Sequence, residues 1–208
     1  LERSGRIVSS AALIVVVVST VATLFFGWWV ARRLGIPEKL GILIGVGSSI
    51  CGASAVVAAD SVVQGERRDS AVALGVITLL GTVGILVYPV LARSIAMPEF
   101  VYGVWAGASL HEMAQVVAAG FGVSDEAARV ATVVKLARIS LLAPVVLYLG
   151  WSLRHRHLEA GQARVAPVPW FLVLFVIFAG INSLGIIPAR WLDLVRRGDL
   201  WLLCVGMA

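Results

Sequence analysis

The spacing of the apolar runs limits this fold more than anything else in the chain. Apolar segments recur at 9–31, 40–63, 70–92, 99–121, 126–150 and 168–187, and another starts at 199. A helix needs about 20 such residues to cross the hydrocarbon core of a bilayer. Short charged linkers such as "RRLGIPEK" and "QGERRD" separate the runs. In lipid every backbone N–H and C=O must find a partner within the protein, so segments of this kind fold as helices. The expectation is an all-α, polytopic transmembrane helix bundle with discontinuous helices. Residues 1–208 read as a single transmembrane domain with six spans and the start of a seventh.

Composition agrees. The chain is 60% hydrophobic and 14% charged, whereas soluble domains carry about 25% charged residues. The net charge of +5 is spread over short loops, which is a matter of membrane topology and not of nucleic-acid binding. The two cysteines, Cys51 and Cys204, both lie in apolar segments and read as small packing residues. The first residue is not methionine and the last lies inside an apolar segment, so the chain reads as an internal piece of a longer protein.

Orientation does not resolve. If every segment crosses, one side holds Arg3, Arg6, Arg67, Arg68, Arg190, Arg196 and Arg197. The other holds Arg32, Arg33, Lys39, Arg93, Arg154, Arg156 and Arg164. The positive-inside rule needs a bias, and these sets are equal. Either a segment is re-entrant or the signal lies outside the chain.

One apolar segment is unusual. "GVGSSICGASAVVAAD" at 45–60 concentrates glycine and serine in the middle of a span. It has an echo: "GSSICGASAVVAA" at 47–59 aligns without gaps to "GASLHEMAQVVAA" at 107–119. Glycine inside a helix costs about 1 kcal/mol relative to alanine. Membrane helices accept it where helices pack closely, or where the helix breaks and its freed backbone groups face a cavity or ligand. A half-helix starting near Ser48 or Ser49 would aim unpaired N–H groups at one spot and form an anion site. A second would do the same near Ser109.

Polar residues at membrane depth sharpen the reading. His111 and Glu112 lie in the fourth segment, and Lys135 and Arg138 share a face of the fifth. A buried Lys or Arg costs about 2.5–3.5 kcal/mol on insertion scales. Glu112 can pair with either cation, which leaves the other for an anionic substrate, and arginine's planar fork suits an oxyanion. His111 can titrate near neutral pH or simply bond to backbone; Gln115 lies one turn on. Asp60 and Glu66 read as solvated, and Asn182 as an interhelical hydrogen bond. "HEMAQ" at 111–115 lacks the second histidine of the zinc-protease pattern. No nucleophile elbow, phosphate loop or dinucleotide fingerprint is present, so an enzyme is not expected, nor any cofactor or metal.

"GSSICGASAVVAA", "YGVWAGASLHEMAQVVAAG" and "ATVVKLARISLLAPVV" resemble the three signature blocks of the YeiH-type sulfate exporter family of bacterial inner-membrane proteins. The blocks stand in family order, and the resemblance covers most of residues 1–150. It implies a multi-pass secondary transporter of the inner membrane, exporting sulfate or a related small inorganic or organosulfur anion, coupled to protons or another ion. The substrate-binding residues it carries over are Ser48, Ser49, Cys51, Gly52, Ser54, Ser109, Lys135 and Arg138. His111, Glu112 and Gln115 would couple protons or charge. A passive anion channel, or a structural or sensory membrane subunit, is the alternative. The partners expected are the anion and the bilayer, not nucleic acid, and a homo-oligomer is left open.

Overall fold

The computed structural model describes residues 10–159, with side chains over 12–153, and further on Leu174, Ile177, Gly180 and Ile181. The segments expected at 168–187 and from 199, with Asn182 and Cys204, fall largely outside the described residues, and the side chains of His155 and His157 are outside the described ones too. The chain divides into two compact units, Leu1–Val168 and Pro169–Ala208, and the helices below belong to the first. In chain order they are α1 (Ser10–Arg33), α2 (Glu38–Ser49), α3 (Ala53–Val63), α4 (Arg67–Ser94), α5 (Glu99–Ser109), α6 (Met113–Phe121), α7 (Asp125–Ile139) and α8 (Leu142–Glu159).

Three stretches are long and apolar enough to cross a membrane: Ala12–Arg33 in α1, Arg67–Ser94 in α4, and Asp125–Leu153 through α7 and α8. The last is interrupted at Ser140 and Leu141. Pro144 there has no N–H for the carbonyl one turn back.

The segments at 40–63 and 99–121 have the apolar length of crossings but do not cross. Lys39, in the first turn of α2, donates from Nζ to the carbonyl of Gln64, just past α3, at 2.7 Å. A straight helix would hold those residues about 35 Å apart. The α2 and α3 helices are therefore the arms of a re-entrant hairpin with its tip at Ile50–Gly52. The second hairpin is closed in the same way. Tyr102 Oη in α5 donates to the Ala119 carbonyl in α6 at 2.8 Å. Arg93, ending α4, donates to the carbonyl of Gly122. An arm of 12 residues such as α2 rises about 18 Å, a little over half the roughly 30 Å hydrocarbon core.

The hairpins enter from opposite faces. Along α4, Ile77 packs on Gly47 of the first hairpin, Gly81 on Gln115 and Gly84 on Leu110 near the second tip, and Pro89 on Gly122 at the second hairpin's base. Thus α4 runs from the base of one hairpin to the base of the other. At its far end α1 sets Gly27 against Gly45 and Ala31 against Gly41 of the first hairpin. Its early turns place Val16 with Ala108, Val130 and Val134. The α7 helix lays Val130 against Gly103, and Ala131 and Val134 against Gly107. It continues into α8, whose Pro144 and Val145 line a groove with Gly41 and Gly45. Small residues at each contact let the backbones approach closely, as membrane packing requires.

Both hairpins follow the same turn. Gly35 (φ 66°) and Ala96 (φ 49°) are left-handed. The next N–H groups, of Ile36 and Met97, each donate to a carbonyl five residues back at 2.9 Å, a helix-ending motif. Pro37 and Pro98 then open the first arms with nearly equal backbone angles. The echo at 47–59 and 107–119 maps onto hairpin on hairpin: Ser49 and Ser109 end the first arms, and Ala53 and Met113 begin the second. The expected run of crossings thus becomes, over the described residues, three crossings and two re-entrant hairpins. Apolar length alone does not separate one rod from two half-length arms.

Candidate functional site

The hairpin tips meet. Gly52 (φ 77°) sits so close to the second tip that a Cβ there would lie 2.8 Å from Glu112 Cγ and 3.3 Å from the His111 carbonyl oxygen. Only glycine combines that backbone angle with that approach. Around this junction lie the residues that the sequence singles out for binding and coupling, from Ser48 to Ser54, from Ser109 to Gln115, and Lys135 with Arg138.

Lys135 and Arg138 project from α7 into the junction, and both are buried. Lys135 Nζ donates to the carbonyls of Ile50 and Leu110, 2.7 Å each. These carbonyls belong to different hairpins. Arg138 donates from Nε to the Ser49 carbonyl and from Nη2 to the Ser48 carbonyl at 3.0 Å. Both cations thus face the C-terminal ends of half-helices, where about half a negative charge resides. The expected pairing of Glu112 with one of them is not what forms. An ion pair does form between Arg129 and Glu126, at the exposed start of α7.

Glu112 has another task. Its carboxylate accepts from Thr78 Oγ1 of α4 at 3.0 Å and closes a capping box on α6 with Gln115. Gln115 Oε1 accepts from the Glu112 N–H at 3.0 Å, and its Nε2 donates to the Thr78 carbonyl at 3.3 Å. The positive end of α6 is therefore met by the protein's own carboxylate.

The serines differ from expectation in a definite way. Ser48 and Ser49 do not begin a half-helix; they end one, and they present carbonyls to Arg138. The Ser49 hydroxyl bonds back to the Val46 carbonyl at 3.0 Å, and that of Ser109 to the Trp105 carbonyl at 2.6 Å. Such back-bonding is how serine is satisfied inside a helix. Cys51 is buried in the tip, its Sγ 2.7 Å from Ser54 Oγ. Away from the junction, Asp60 accepts from the Gly65 N–H at 3.0 Å and Glu66 caps α4.

Two polar atoms at the junction remain buried without a hydrogen-bond partner: Arg138 Nη1 and His111 Nδ1. Burying a donor unpaired costs about 1–3 kcal/mol, and more when it is charged. The charges also fail to cancel. The four half-helix ends contribute opposite half-charges that sum to zero. Lys135 and Arg138 against Glu112 then leave an excess of about one positive charge. Thr78 is the participant that the sequence did not flag. Thr78 and Thr82, one turn apart in a largely apolar span, are the signal it carried.

Residues 6–208 match the family model described as conserved hypothetical protein 698. The chain is similar to a UPF0324 membrane protein of Yersinia pestis, 35% identical over 198 residues, covering 90% of this chain and 55% of the relative. A UPF0324 membrane protein of Pseudomonas aeruginosa is 40% identical over 187 residues, covering 85% and 52%. The UPF0324 membrane protein TauZ of Paracoccus denitrificans is 36% identical over 191 residues, covering 89% and 56%. The chain spans about half the length of the curated relatives it matches. No solved structure matches it.

Proposed function

The chain belongs to the conserved hypothetical protein 698 family, the UPF0324 bacterial membrane proteins, and from that premise we propose that its full-length parent is a secondary transporter of a small inorganic or organosulfur anion, sulfate foremost, in the inner membrane. The observation that supports this is the excess positive charge at the hairpin junction with one guanidinium nitrogen, Arg138 Nη1, buried and unpartnered. An anion there would complete both the hydrogen bonding and the charge balance. Backbone breaks that line a site between two opposed elements are a recurrent transporter device. Alternating access would come from movement of one hairpin relative to the other. The junction's binding groups, two cations against half-helix carbonyls, support transport.

The test is labelled-sulfate flux in proteoliposomes holding the full-length parent. Wild type gives saturable flux. Arg138→Ala lowers it at least about tenfold, as expected for a lost charge-assisted contact. Arg129→Ala, at an exposed pair, changes it by less than about twofold. Equal losses in both variants would remove Arg138 from the site. Flux that rises linearly without saturation would replace the carrier with a pore.

A further inference from the structure

Lys135 is the one described side chain that ties the two hairpin tips to each other through their carbonyls. Its side chain is wholly buried, and Nζ sits 2.7 Å from the Ile50 oxygen and 2.7 Å from the Leu110 oxygen. Half-helix C-termini and unwound carbonyls facing each other at mid-membrane are where transporters coordinate a coupling cation. Here the cation is covalently tethered, so its charge can leave only as a proton. Arg138 does not share this property. It binds carbonyls of one hairpin only, and a guanidinium stays protonated in proteins. A buried lysine does exchange its proton.

The ionisable groups around Lys135 are few. Arg138 lies on its own helix, Cys51 and Glu112 act on it from the first and second tips, and His111 is coupled to it as well. The α4 helix brings Tyr88 into range of Arg138. From residue 12 to 31, α1 carries no ionisable side chain. On α8, Tyr148 lines the groove with Gly41 and Gly45. Glu112 is committed to Thr78 and to the cap of α6.

We propose that Lys135 Nζ is the binding site of the coupling proton, and that its ammonium form latches the two hairpin tips together. The coupling part rests on the transporter reading above; the latch does not. In the step itself one Nζ–H bond breaks, the electron pair stays on nitrogen as the amine lone pair, and the proton passes to water reaching an opening tip. The neutral amine retains two N–H donors. Its bonds to Ile50 and Leu110 lose their charge assistance, about half their strength, and the half-helix ends lose their counter-charge. The tips are then free to separate, and reprotonation restores the latch.

Two measurements on the full-length parent decide it. The first is amide-exchange protection over 47–53 and 107–113 across a pH series, corrected for intrinsic exchange. In wild type, protection at both tips falls about tenfold as pH rises, while the middle of α4 stays constant. Lys135→Arg, which cannot release its charge, keeps the tips protected throughout. A wild-type profile without pH dependence, or the same dependence in Lys135→Arg, overturns the latch. The second is sulfate flux with and without a pH gradient. Gradient-sensitive flux in wild type and gradient-insensitive flux in Lys135→Arg supports the coupling site. Retained sensitivity in the variant overturns it and leaves the transporter standing. Absent sulfate flux in wild type, with pH-dependent tips that Lys135→Arg fixes, removes the sulfate reading and leaves the latch.

Discussion

Gly52 and Gly75 are the same residue with opposite duties. At Gly52 a Cβ would meet Glu112 2.8 Å away, on a backbone of φ 77°; at Gly75 nothing lies within 4 Å. Gly52→Ala therefore destabilises the protein by about 1–3 kcal/mol through backbone strain, with displacement of the second tip besides. Gly75→Ala, on an exposed turn of α4, stabilises it by a few tenths to about 1 kcal/mol. Thermal unfolding of both variants in detergent checks the signs: Gly52→Ala lowers the midpoint, and Gly75→Ala leaves it unchanged or raises it. A junction tolerant of Gly52→Ala would mean that the tips do not touch. Sequence marked Gly52 as one of several small residues in a polar-tolerant patch and, by resemblance, as a substrate-binding position, but not as the point where two tips touch. Its left-handed angle depends on the other hairpin, which no local pattern encodes.

Each hairpin is an element whose two ends share one face of the membrane. Its direct check is a cross-link at the base. Lys39→Cys with Gln64→Cys, in a background where Cys51 and Cys204 are replaced, forms a bond with a short thiol cross-linker. A crossing helix would hold those positions about 35 Å apart, and no cross-link would form. Much of this element was legible beforehand. The glycine–serine cluster pointed to a break, and the echo at 47–59 and 107–119 pointed to two elements on one plan. The sense of the break was not legible. Ser48 and Ser49 stand on the C-terminal side of a half-helix, so their carbonyls and not their N–H groups face the junction. That inverts the local electrostatics and explains why two cations gather there. Lys135 and Arg138 were recognisable as membrane-depth charges needing partners. That the partners would be carbonyls 25 to 90 residues away in sequence was beyond reach, because nothing local to α7 specifies them.

At the scale of the bundle, the hairpins redistribute the basic residues of the described loops between the two faces. Among the described residues, Arg32, Arg33, Lys39, Arg67 and Arg68 gather on the face where the first hairpin is based. Arg93 and Arg129 lie on the face of the second. Applied to these residues alone, the positive-inside rule predicts a cytoplasmic first face. In the same cysteine-replaced background, Gln64→Cys should be protected from a membrane-impermeant thiol reagent in intact cells, and Ser94→Cys should react. The reverse pattern would turn the molecule over. The repeated unit, one crossing followed by one hairpin, also bears on ancestry. A unit with an odd number of crossings finishes on the face opposite to the one where it began. Copying it in tandem sets the second copy upside down with no change to either copy, so a single duplication suffices to make an antiparallel pair from an ancestor that inserted in one orientation only.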